Sequence, residues 1–158
     1  MERTVAVIGA GLIGRAWSMV FARAGWRVHV YDRDTEQLRA AEAFIGASLD
    51  EQAKFGLVGD PGAARTRVDY PASLEEAVAD AAWVQENLPE MLETKREAFS
   101  LLDRLAPADA VLASSTSAIP ASRFTETLSG RSRCLVAHPV NPPHLVPVLE
   151  ICGAPWTL

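Results

Sequence analysis

Gly9, Gly11 and Gly14 are spaced Gly-x-Gly-x-x-Gly, directly after the apolar run Val5-Ala6-Val7-Ile8 and at the opening of a helix-like stretch. In that setting each glycine has a physical job. Gly9 permits a tight turn, Gly11 lets a pyrophosphate approach the backbone, and Gly14 lets helix and strand pack closely. The first helical residues, Leu12 and Ile13, bring free amides and the positive dipole end to the diphosphate. An acid, Asp32, stands 18 residues after the third glycine and ends a second strand-like run, Trp26 to Tyr31. Its carboxylate can accept hydrogen bonds from both adenosine ribose hydroxyls and repels a 2′-phosphate. NAD is therefore favoured over NADP, with Arg33 next door softening the preference.

The elements that must hold such a turn follow from periodicity and punctuation. A helix over 12–24 closes at Gly25. Asp34 or Thr35 caps a long helix with the apolar stripe Leu38, Ala41, Ile45, Leu49 and Ala53. Gly56, Gly59, Asp60, Pro61 and Gly62 mark a loop. A third strand is expected over 66–70, and a short helix over 73–79 with Ser73 and Glu76 as a capping box. A fourth strand follows over 82–85, then a helix over 91–105 carrying Leu92, Phe99, Leu102 and Leu105. The fifth strand spans 110–113, a short helix begins near Pro120, the sixth strand spans 134–137 and the last 146–152. Strands alternating with helices predict an α/β, Rossmann-type doubly wound, mostly parallel sheet with helices on both faces. Such sheets bind ligands beyond the carboxyl ends of their strands.

At 158 residues the chain fits one domain, residues 1–158. Its 15 Lys+Arg against 20 Asp+Glu give a net charge of −5, which with no basic tract argues against nucleic acid as a partner. No apolar run reaches the ~20 residues that span a bilayer. Met1-Glu2-Arg3 runs straight into strand-like sequence, which leaves no room for a signal or transit peptide. Cys134 and Cys152 lie in apolar strand-like runs without metal-ligand or CxxC spacing, so no metal site is expected. Buried free thiols in a reducing cytoplasm are the expectation.

Four motifs, in order and suitably separated, carry a resemblance across essentially the whole chain. They are Ile8-Gly-Ala-Gly-Leu-Ile-Gly-Arg-Ala-Trp17, Gln85-Glu-Asn-Leu-Pro-Glu90, Ser114-Ser-Thr-Ser117 and Ala137-His-Pro-Val-Asn-Pro-Pro143. The sequence resembles the 3-hydroxyacyl-CoA dehydrogenase superfamily, and within it the lambda-crystallin or L-gulonate 3-dehydrogenase branch. The resemblance implies an NAD-dependent oxidoreductase acting on a secondary alcohol. It places Glu90 and Lys95 at the nicotinamide half of the cofactor and assigns catalysis to Ser117, His138 and Glu150. Removing a hydroxyl proton while hydride leaves suits a neutral imidazole near pH 7, with a carboxylate behind it to fix the tautomer. Ser117 would hydrogen-bond the substrate oxygen and Asn141 would orient substrate or nicotinamide. His29 reads as sheet packing or a solvent-facing position, and His144 as a second candidate near the site. A non-catalytic nucleotide-binding or crystallin-like protein is the alternative; the joint presence of Ser117, His138 and Glu150 speaks against it.

The chain also departs from the pattern. The acyl-CoA enzymes tend to carry a lysine-rich second helix, whereas residues 32–60 here hold seven acids and three bases, with Lys54 the only lysine. Ser48 matches a CoA-contacting serine, but the surrounding field is wrong for a polyanion. His-Pro-Val-Asn-Pro-Pro likewise replaces His-Phe-Phe-Asn-Pro. A small hydroxy acid such as L-gulonate, or carnitine, is thus preferred over a short-chain 3-hydroxyacyl-CoA. Family members continue into a helical domain that completes the substrate cleft and forms most of a homodimer interface. A fragment lacking it is expected to fold, bind NAD weakly and turn over little.

Overall fold

In the computed structural model, which describes residues 3–158, strand β1 (Thr4–Ile8) is buried along its whole length. Alternation sends Val5 and Val7 to one face of the sheet and Ala6 and Ile8 to the other, and each face meets its own apolar cluster. Around β1 the chain builds β2 (Arg27–Tyr31), β3 (Val68–Asp69), β4 (Ala81–Glu86), β5 (Val111–Ser114), β6 (Cys134–Pro139) and β7 (Leu149–Gly153). The seven strands lie in the order β3-β2-β1-β4-β5-β6-β7, parallel except for β7, which runs antiparallel to β6. The order reverses between β1 and β4, and the crevice opens at that switch point.

Helices α1 (Leu12–Arg23) and α2 (Thr35–Lys54) cover one face, where Met19, Ile45 and Leu49 pack on Val28 and Val30. The spacing of Leu38, Ala41, Ile45 and Leu49 puts them on one stripe of α2, and Asp34 caps it by accepting from the Glu36 amide. Helices α4 (Leu74–Val78), α5 (Leu92–Leu105) and α6 (Ser122–Thr125) pack on the opposite cluster. There Phe99 meets Phe124 with ring centroids 4.6 Å apart, and burying one such ring contributes roughly 2–3 kcal/mol.

Several local expectations change. The segment read as loop contains α3 (Pro61–Arg65), because Asp60 accepts from the Ala63 amide and Pro61 takes the first helical position. The third strand shrinks to two residues, since Thr66 still closes α3 through its amide to the Gly62 carbonyl at 3.1 Å. The last strand starts at Leu149 rather than Val146, because Pro147 has no N–H to donate and Val148 turns back onto the Val146 carbonyl at 2.9 Å. Cys134 is buried as expected, whereas Cys152 is exposed because β7 is an edge strand. No helix among the described residues is long and apolar enough to cross a membrane.

Candidate active site

The glycine turn is built by contacts that only glycine tolerates. Gly9 adopts φ +94°, and a Cβ on Gly14 would lie 1.9 Å from the Gly9 carbonyl oxygen. At Gly11 the opposite holds: an added Cβ would meet nothing within 4 Å, so the space over the turn is open. Helix α1 begins there with no side-chain cap and no acid in its first turn. Its first amides and dipole end therefore face that space uncompensated, which suits a diphosphate.

Asp32 ends β2 beside this turn. Its Oδ2 accepts from the Ala10 amide at 2.8 Å and its Oδ1 from the Asp34 amide at 2.9 Å. It therefore fixes the glycine loop as well as lining a cavity of about 230 Å³ bounded by Ile8, Arg33, Leu74, Leu88 and Leu101. The walls are mostly apolar, with the Asp32 carboxylate among them, which suits a nucleoside.

A second pair of cavities lies beyond β4, β5 and β6. One, of about 180 Å³, is lined by Ile13, Glu90, Ser115, Ser117, His138 and Asn141. The other, of about 430 Å³, includes Ile119, Val136, Glu150 and Cys152. Ser117 and His138 line both. Antiparallel pairing sets His138 opposite Glu150, and His138 Nδ1 lies 2.7 Å from Glu150 Oε2. A carboxylate only accepts, so in the neutral imidazole it favours the tautomer with the proton on Nδ1 and Nε2 as the acceptor. The pair is open: the Glu150 side chain is 71% exposed and that of His138 28%.

Glu90 is fixed more tightly. Its Oε1 accepts from Thr116 Oγ1 at 2.5 Å, the Ser117 amide at 3.1 Å and the Ala118 amide at 3.0 Å. Burial alone would raise its pKa, but these bonds and the Lys95 charge outweigh burial and hold it below the ordinary value of 4.5. Lys95, on α5, is 1% exposed and turned inward. Its Nζ donates to both Glu86 carboxylate oxygens at 3.1 Å and lies 3.6 Å from Glu90 Oε2.

Two sets of residues carry no role in the sequence reading yet build this floor. Glu86, fully buried, also accepts from the Leu88 amide at 2.6 Å and from Ser114 Oγ at 2.5 Å. Ser115 Oγ accepts from Trp17 Nε1 at 3.0 Å and Gln85 Nε2 at 2.8 Å and donates to Asn87 Oδ1 at 2.7 Å, joining α1 to β4. The available signal was polar residues at the ends of buried strands, where burial demands partners.

The other histidines fall elsewhere. His29 packs under α4, its Nδ1 3.2 Å from the Ala77 carbonyl. His144 is not beside His138; it lines a groove with Ser48, Glu51, Phe55 and Leu57. Burial, with the Arg23 charge, lowers its pKa from 6.5. Among the described residues no cluster of three His, Cys, Asp or Glu is placed to hold a metal.

Residues 4–158 match the family model described as "3-hydroxyacyl-CoA dehydrogenase, NAD binding domain". The chain is 41% identical over 156 residues to the lambda-crystallin homolog of Bos taurus, covering 97% of this chain and 49% of that protein. It is 38% identical over 151 residues to an L-carnitine dehydrogenase of Streptomyces griseus, covering 96% and 44%. Among solved structures it is similar to 3-hydroxybutyryl-CoA dehydrogenase from Escherichia coli K12, with a TM-score of 0.94 at 28% identity over 100% of this chain and 34% of that one. The chain thus spans about half the length of the curated relatives it matches.

Proposed function

This chain belongs to the 3-hydroxyacyl-CoA dehydrogenase family, as its NAD-binding domain, and on that premise we propose that it serves NAD-linked oxidation of a small 3-hydroxy acid, with His138 as the base. The observation that carries the proposal is the 2.7 Å contact of His138 Nδ1 with Glu150, beside Ser117, where two cavities meet. NAD, when bound, supplies the hydride acceptor. The open space at Gly11, the uncapped start of α1 through Leu12 and Ile13, and the Asp32 carboxylate would hold its diphosphate and adenosine ribose. Glu90 would flank the nicotinamide half, with Lys95 acting behind it.

His138 Nε2 takes the hydroxyl proton, and Glu150 stabilises the imidazolium that forms. The Ser117 hydroxyl donates to the substrate oxygen and Asn141 orients the reacting group. A helical domain, of the size the relatives' length leaves room for, would cover the exposed His138–Glu150 pair, exclude water and form a homodimer. Without that cover, turnover should be very low.

The substrate preference rests on charge. The groove at Ser48 is lined by Glu51, Phe55 and Leu57, and residues 32–60 hold seven acids against three bases, a poor field for CoA phosphates. L-gulonate or carnitine therefore fits better than a 3-hydroxyacyl-CoA. A turnover panel of L-gulonate, carnitine and 3-hydroxybutyryl-CoA with NAD⁺, on the protein with its complete cleft, tests this. Activity on a small hydroxy acid is expected. Activity on the CoA ester alone would reject the preference, and none on any of the three would support a non-catalytic crystallin-like role.

A further inference from the structure

We propose that Glu86, Lys95 and Glu90 together hold one net negative charge at the reactive cavity and thereby bias it toward the oxidised over the reduced nicotinamide; this rests on the NAD reading above. Two carboxylates share one ammonium. Lys95 Nζ is 3.1 Å from both Glu86 oxygens but 3.6 Å from Glu90 Oε2. Glu86 is fully buried, and its other donors, the Leu88 amide and the Ser114 hydroxyl, are neutral. It therefore takes up most of the lysine charge at short range and leaves the Glu90 charge only partly compensated.

Glu90 is the member that reaches the cavity, with its side chain 42% exposed. It shares that cavity with Ser117, His138 and Asn141. The Thr116 hydroxyl and the Ser117 and Ala118 amides fix Oε1, and its carboxyl lies below the ordinary value, so the charge is present at neutral pH. The nicotinamide ring carries a positive charge in NAD⁺ and none in NADH. A fixed negative charge beside it stabilises only the first, and solvent at the open side of the cavity weakens that preference without reversing it. Glu86 thus tunes the cofactor without touching it: remove its charge, and Lys95 is left to neutralise Glu90.

Separate calorimetric titrations of the chain with NAD⁺ and with NADH at neutral pH test this. The ratio Kd(NADH)/Kd(NAD⁺) should fall about tenfold in both Glu86→Gln and Glu90→Gln, the scale of one unit charge acting over a few ångströms at the near-water dielectric of a cavity whose acid is 42% exposed. The double variant Glu86→Gln/Lys95→Gln restores a single negative charge and should return the ratio to within about twofold of the parent. Glu90→Gln, on the cavity rim, keeps the test decisive if Glu86→Gln does not fold. An unchanged ratio, a parallel loss of both affinities, or a double variant that fails to restore the ratio would overturn the proposal. A parent chain that binds neither cofactor would instead refute the NAD reading itself, and the proposal with it.

Discussion

The glycine turn and the His138–Glu150 corner sit at opposite levels of completion. The turn is surrounded: β1 is buried on both faces, Asp32 braces the loop, and Gly14 packs directly against Gly9. The corner is on an edge, where all five residues of β7 are exposed and Leu149 and Ile151 show 42% and 58% of their surface. The turn is preorganised by this domain alone, whereas the proposed reactive pair has geometry but no shelter. Preorganised contacts keep their strength in water; an exposed imidazole–carboxylate pair does not.

If the turn is rigid because it is packed, Gly14→Ala is the sharpest way to break it. Its Cβ would fall 1.9 Å from a carbonyl oxygen, so stability should drop by about 3 kcal/mol or more in denaturant unfolding. Asp32→Ala removes both the proposed ribose acceptor and the brace on Ala10, and NAD affinity measured by calorimetry should fall about tenfold to a hundredfold. Gly11→Ala separates folding from binding. Its methyl enters open space, so stability should change by less than about 1 kcal/mol, while NAD affinity falls about tenfold because the diphosphate loses its approach. The smallest effect is chemical. Burial pushes the Cys134 thiol up to about 12, so a thiol reagent should label exposed Cys152 in the folded chain and reach Cys134 only on unfolding.

The comparison also explains what could be read in advance. Gly9, Gly11 and Gly14 act through local backbone geometry, which spacing encodes, and the apolar run Val5 to Ile8 marks the strand that leads into them. The doubly wound, mostly parallel sheet followed from strands alternating with helices. Asp60-Pro61 was legible as a cap followed by a first helical residue, but the neighbouring glycines read more strongly as loop. The start of β7 depended on Pro147 failing to donate, which mattered only once its partner strand was known. Exposure of Cys152 followed from β7 being an edge, a property of sheet order rather than of any local run. Lys95 was the hardest. Whether a lone lysine turns outward or inward depends on Glu86, nine residues earlier and on another element, and no local pattern states that.

The division of labour between turn and corner is tested most directly by His138→Gln in the protein with its complete cleft, measuring NAD⁺ affinity and turnover on the same preparation. NAD⁺ affinity should stay within about twofold, since the hydrogen bond of His138 goes to Glu150 rather than to the turn, while kcat falls by about a thousandfold or more. Near-normal turnover, or a loss of NAD⁺ affinity that matches the loss of rate, would contradict the account.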